Sequence, residues 1–107
     1  MVKKTVLKNV QKYLLRIKGK GIPVCFGVIF GSQVTGRAGK WSDIDLLVVS
    51  PRFDRSPRRK DIEELWYQAA LTDSRIEPIP CGEKQWKKDR FQTIIEIARR
   101  EGQVIGF

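Results

Sequence analysis

The 107 residues include no histidine and only two cysteines, Cys25 and Cys81, with no CxxC pair. That inventory rules out a zinc site and a histidine-dependent catalytic triad. Each cysteine sits inside an apolar, strand-like stretch, so two buried structural thiols are expected. No apolar run approaches the roughly 18 residues of a membrane span. The opening MVKKTVLKNVQK alternates charge with apolar residues and has no secretory h-region. No membrane association and a cytoplasmic location are the matching expectations.

Hydrophobic residues at 41% and charged residues at 31% describe a globular chain. Residues 1–107 are expected to form one domain, burying about two thirds of the surface exposed by the unfolded chain. That supports one sheet with a few covering helices. The net charge of +9 attracts polyanions such as nucleic acid, triphosphates or an acidic partner. Charge alone does not choose among them.

Val6, Val10, Leu14 and Ile17, with Tyr13 beside them, share one helical face, and Gly19 and Gly21 end the pattern, predicting a helix over 3–18. VCFGVIF at 24–30 reads as a buried strand and DIDLLVV at 43–49 as a second. Ser56 and Pro57 look like an N-cap and first helical residue, and Ile62, Leu65, Trp66 and Ala69 continue that helix to about Leu71. RIEPIPC at 75–81 is a third strand. Pro78 and Pro80 lack N–H groups on the same side of it, which predicts an edge position. Phe91, Ile94, Ile95 and Ala98 predict a last helix over 88–101, before Gly102. The order α, β, short turn or helix, β, α, β, α implies an α/β (α+β) fold: a small mixed sheet of three or four strands with helices packed on it.

The segment GSQVTGRAGKWSDID, residues 31–45, joins the first two strands. Strand periodicity puts Asp43 and Asp45 on one face and Ile44, Leu46 and Val48 on the other. Two adjacent carboxylates entering an apolar strand repel and raise their own pKa values unless a cation lies between them. Oxygen ligands suit Mg²⁺ or Mn²⁺, and Mg²⁺ completes its shell with water and substrate phosphates. Gly31 permits close backbone approach, and the Ser32 hydroxyl with the amides after it suits phosphate oxygens. Gly36 and Gly39 keep the rest of the loop permissive. The connection is short for a parallel crossover, so an antiparallel pair is expected, with Ser32 and the aspartates at one end of the sheet. Trp41 is a candidate for stacking on a base, and Trp66 and Trp86 read as core or interface residues. The basic run PRFDRSPRRK, 51–60, reads as a solvated loop, with anion steering as the alternative.

GS, ten residues, then DID in a strand resembles the signature of the nucleotidyltransferase superfamily related to DNA polymerase beta, and the size and element order resemble its minimal branch. A chance match in so short a chain is on the order of one in a thousand. The resemblance implies that Asp43 and Asp45 hold Mg²⁺ with a third carboxylate from the later strand. Glu77 is the acidic residue inside RIEPIPC. It also implies that Gly31 and Ser32 bind the triphosphate of ATP or another NTP. Many minimal members read GS-x-A-R-G, whereas Val34, Thr35 and Gly36 follow Gln33 here, leaving Arg37 or Lys40 as candidates to supply charge. By the same resemblance the chain is an antitoxin-like partner of a helical HEPN protein encoded nearby, which active members AMPylate. The acceptor-binding surface is then expected from that partner. Contact-only neutralisation and nucleic-acid binding are the alternatives, and an oligomer is compatible with either.

Overall fold

The computed structural model describes residues 2–89 and 92–107. Helix α1 (Lys4–Gly19) leads into strand β1 (Phe26–Phe30), the single-turn α2 (Ser32–Thr35) and strand β2 (Ile44–Ser50). A 3₁₀ turn (Pro51–Phe53) precedes α3 (Arg59–Thr72) and β3 (Ile76–Gly82). Helices α4 (Glu83–Lys88) and α5 (Thr93–Glu101) and the short strand β4 (Gln103–Ile105) follow.

The strands form one mixed sheet in the order β3-β2-β1-β4. β1 is antiparallel to β2 and to β4, while β2 and β3 are parallel, as a strand–helix–strand crossover through α3 requires. The expected antiparallel first pair and the edge position of the Pro78/Pro80 strand are both observed. β4 lies outside the sequence-based elements, because three residues are too few to show a period.

Both faces of the sheet are covered, which is why β1 and β2 read as nearly continuous apolar runs. On one face Ile29, Ile44, Leu46 and Val48 pack with Val10, Leu14 and Ile17 of α1 and Leu65 of α3. On the other, Val28, Leu47, Val49 and Cys81 pack with Ile95 and Ala98 of α5. Trp86 closes that second core with its ring edge-on to Phe26, centroids 5.7 Å apart, in keeping with its core assignment.

Three local expectations are corrected. Helix α3 begins at Arg59 with Arg58 as its N-cap, so Ser56 and Pro57 stand outside it. Its buried face is Asp61, Leu65, Gln68 and Ala69, which leaves Ile62 and Trp66 exposed. The reason is polar pairing: Asp61 is bonded to Arg52 at 3.0 Å, and Gln68 accepts from Arg16 and donates to Glu64. Cys25 is exposed, just before β1, and its thiol donates to Glu83 at 3.3 Å, so only Cys81 is a buried thiol. The expected last helix, 88–101, begins only at Thr93, and a separate short helix, 83–88, precedes it, with Asp89 Oδ1 accepting from the Gln92 amide between them. Phe91 lies outside the described residues.

The end of the sheet that receives the 31–45 loop is braced by Asp73. It accepts two bonds from the Arg75 guanidinium, at 3.0 and 2.7 Å, and one from Asn9 of α1 at 3.0 Å. Arg75 also donates to the carbonyl of Lys40 at 3.2 Å, which ties the loop to the start of β3. The guanidinium holds the Asp73 carboxyl well below its usual 3.8, at about 2. The folded state therefore binds fewer protons here than the unfolded chain, and this stabilisation is complete above pH 3.8 and lost as pH falls through about 2. Its size is about 2 kcal/mol. Urea unfolding followed between these pH values should show that loss, and Asp73→Asn should flatten it.

Candidate active site

The loop's two halves meet at one end of the sheet. Phe30, the last residue of β1, pairs with Asp45, and Asp45 pairs with Glu77 across the parallel β2–β3 ladder. Asp43 lies two residues before Asp45, at the mouth of β2 and exposed. The Glu77 carboxyl lies within hydrogen-bonding reach of both Asp43 and Asp45, and each of them raises its pKa. The structure thus gathers the three carboxyl groups that sequence reasoning had placed on two strands.

Among the described residues, no Lys or Arg lowers the pKa of Asp45 or Glu77. Burial first, and then the charge of Asp43, lifts the Asp45 carboxyl above the ordinary carboxylate range, while its bond with Glu77 opposes that rise. Glu77 is raised as well, by desolvation, by the charges of Asp43 and Asp45, and by its bonds to both. Such a set gains from any group that brings positive charge.

Gly31 is built into the same point. It has φ 76°, left-handed backbone that glycine adopts without strain, and it forms the N-cap of α2. A Cβ added there would stand 2.5 Å from Asp45 Oδ2. The absence of a side chain at residue 31 is what lets the turn lie against the carboxylate. Its carbonyl accepts from the amides of Val34 and Thr35, at 3.0 and 3.2 Å, and so closes α2 into a turn. Ser32, the first residue of α2, is half-buried directly beside Gly31.

Gln33 escaped sequence reasoning. It is 4% exposed, and its Nε2 donates to the carbonyls of Ser42 and Asp43, each at 3.2 Å. One buried amide thereby fixes the glycine-serine turn to the backbone that carries the first aspartate. A four-residue helix is too short for periodicity to mark an inward residue.

Arg37 and Lys40 are exposed, and the Lys40 ammonium lies over the Trp41 ring at 5.2 Å. Trp41 itself is 80% exposed. Thr35, where many minimal members carry arginine, turns its hydroxyl to the Ser32 carbonyl at 3.4 Å. Neither residue of that pair is a cation.

The donor set is all oxygen and suits a hard divalent cation. As they stand, the carboxyl groups bond one another, and among the described residues no three acidic or thiol groups converge on a common metal position. The chemistry of the set fits such an ion. Holding one would require the three carboxyl groups to be ionised and turned toward a common point.

A nucleotidyltransferase domain family model matches residues 7–103. Among solved structures, the chain is similar to a protein from Sulfolobus solfataricus put forward as a nucleotidyltransferase, with TM-score 0.60 and 17% identity, over 92% of this chain and 77% of that one. It is similar in the same degree, TM-score 0.60 and 18% identity, to a chain of a toxin-antitoxin structure solved with AMP-PNP, over 89% of this chain and 71% of that one. No curated protein sequence matches it significantly. At these identities the solved structures show the shared fold, and the family match spans almost the whole length: the chain belongs to the nucleotidyltransferase domain family.

Proposed function

We propose that this nucleotidyltransferase transfers a nucleoside monophosphate, AMP from ATP, to a partner protein, and that it is the antitoxin of a cytoplasmic toxin–antitoxin pair whose toxin is a helical HEPN-type protein. The observation that carries the transferase site is the gathering of Asp43, Asp45 and Glu77 beside the Gly31–Ser32 turn. The likeness to a toxin-antitoxin structure solved with AMP-PNP supports both the adenine nucleotide and the partner.

In this reading Asp43, Asp45 and Glu77 are the residues that would hold Mg²⁺. When bound, such an ion would supply charge neutralisation to the triphosphate and would acidify the acceptor hydroxyl. The Ser32 hydroxyl and the amides opening α2 bind phosphate oxygens, with Gly31 giving them room. The Gln33 amide keeps that turn in register with Asp43. The acceptor oxygen bonds to the α-phosphorus as the bond to pyrophosphate breaks in line. Asp45 or Glu77 accepts the acceptor's proton.

Neutralisation by contact alone is the second reading. It is favoured by one observation: Val34 packs toward the main core and Thr35 bonds its own turn, so α2 offers no cation to the triphosphate. Labelled ATP with Mg²⁺ and the product of a neighbouring reading frame separates the two. Label on the partner, lost with Asp43→Ala, supports transfer. Stable co-purification and neutralisation without label, unaffected by Asp43→Ala, would leave contact as the function.

A further inference from the structure

The positive charge is distributed on one side of the sequence and on one helix. Residues 1–42 contain nine Lys and Arg and no acidic residue, whereas the remaining 65 contain twelve of each. The whole net charge of +9 therefore belongs to the first two fifths of the chain. Within it, Lys4, Lys8 and Lys12 recur every four residues on α1, each exposed and none in an ion pair among the described residues. A four-residue step is about 6 Å along a helix, so the three ammonium groups form a row along one face.

This row belongs to the helix on the sheet face opposite Asp45. α1 covers the sheet face that carries Ile44, Leu46 and Val48, while Asp45 alternates to the other face with Leu47 and Val49. The transferase chemistry leaves the row unused.

Beside Lys4 and Lys8 a groove of about 380 Å³ lies between α1 and β4, bridged where Gln11 Nε2 donates to the Gly106 carbonyl at 3.3 Å. Leu7 and Val104 give it apolar walls, and Gln11 and Gln103 add amide groups. We propose that the α1 row binds the phosphate backbone of a single-stranded nucleic acid, with an unstacked base in the groove between α1 and β4. Lysines act as point charges toward phosphates and give sequence-independent attraction. A base must leave its stack to enter the groove, which a single strand permits and a duplex opposes. A protein partner fits this face less well, because lysine is depleted at protein interfaces and aromatic anchors are enriched. Such anchors are exposed on α3 instead, at Trp66 and Tyr67.

The test is fluorescence anisotropy of a labelled uridine oligomer with the full chain across a range of salt concentrations. Wild type should bind with steep salt dependence, and a duplex of equal length should bind more weakly. The triple variant K4Q/K8Q/K12Q should lose about tenfold or more in affinity, and its salt slope should fall by about 2, from three lost phosphate contacts on a single strand. The charge-matched K84Q/K87Q/K88Q on α4 should stay near wild type, and circular dichroism should show both triples folded. Absent binding, equal losses in the two triples, or a duplex bound as tightly as the single strand would overturn the proposal. So would displacement of the oligomer by polyglutamate more readily than by unlabelled uridine oligomer of equal charge, which would assign the face to an acidic protein.

Discussion

Replacing Asp45 by asparagine is expected to lower nucleotidyl transfer by roughly 10³-fold, since removal of one group that stabilises transition-state charge typically costs 10²–10³ and, in the proposed site, this residue would also hold the metal. The same change should raise the stability of the metal-free protein. Asp45 is half-buried, faces Glu77 across the ladder and carries a pKa raised by burial and by Asp43. Because its folded pKa lies above its unfolded one, the ionised form opposes folding at pH values above that raised pKa. The penalty fades as pH falls below the ordinary carboxylate range, where both states are protonated. Asparagine keeps the shape and removes the charge. Urea unfolding at neutral pH in a chelator should then show a gain of roughly 0.2–1 kcal/mol, the scale of a like-charge pair across a ladder. Gain of stability with loss of transfer is the signature of a residue retained for function. A variant that is both inactive and less stable would mean that Asp45 serves the fold.

Gly31→Ala should abolish nucleotide binding, whereas Gly36→Ala should not. Both glycines have left-handed backbone, φ 76° and 81°, so each substitution carries a similar strain of about 1–2 kcal/mol. Their surroundings differ. A Cβ at residue 31 collides with Asp45 Oδ2 at 2.5 Å, while one at residue 36 meets nothing within 4 Å. The first must displace the carboxylate or the turn, and the second only strains a loop. The unfolding temperature should therefore fall in both variants, and further in Gly31→Ala, with ATP affinity measured by calorimetry lost only in Gly31→Ala. Equal ATP affinity in both would separate the turn from the carboxylate site.

Much of this site was legible because it depends on short-range rules. Strand alternation put Asp43 and Asp45 on one face, the two prolines of RIEPIPC marked an edge strand, and that strand carries Glu77 into register with Asp45. The rest depends on tertiary pairings that leave no local pattern. Asp61 and Gln68 turn inward on α3 because Arg52 and Arg16 come from distant segments, so apolar spacing alone rotated that helix wrongly. Gln33 is buried by two carbonyls nine and ten residues away. β4 exists because α5 returns the chain to the open edge of β1, which three residues could not announce.

The central claim is that Asp43, Asp45 and Glu77, beside the Gly31–Ser32 turn, form one metal–triphosphate site. Calorimetric titration of ATP into wild type and into the Asp43→Asn, Asp45→Asn double variant, with Mg²⁺ and with chelator, tests it without needing an acceptor. The expected result is ATP binding by wild type that requires Mg²⁺ and is absent from a folded double variant. ATP binding that is independent of Mg²⁺, or equally strong in the double variant, would contradict it.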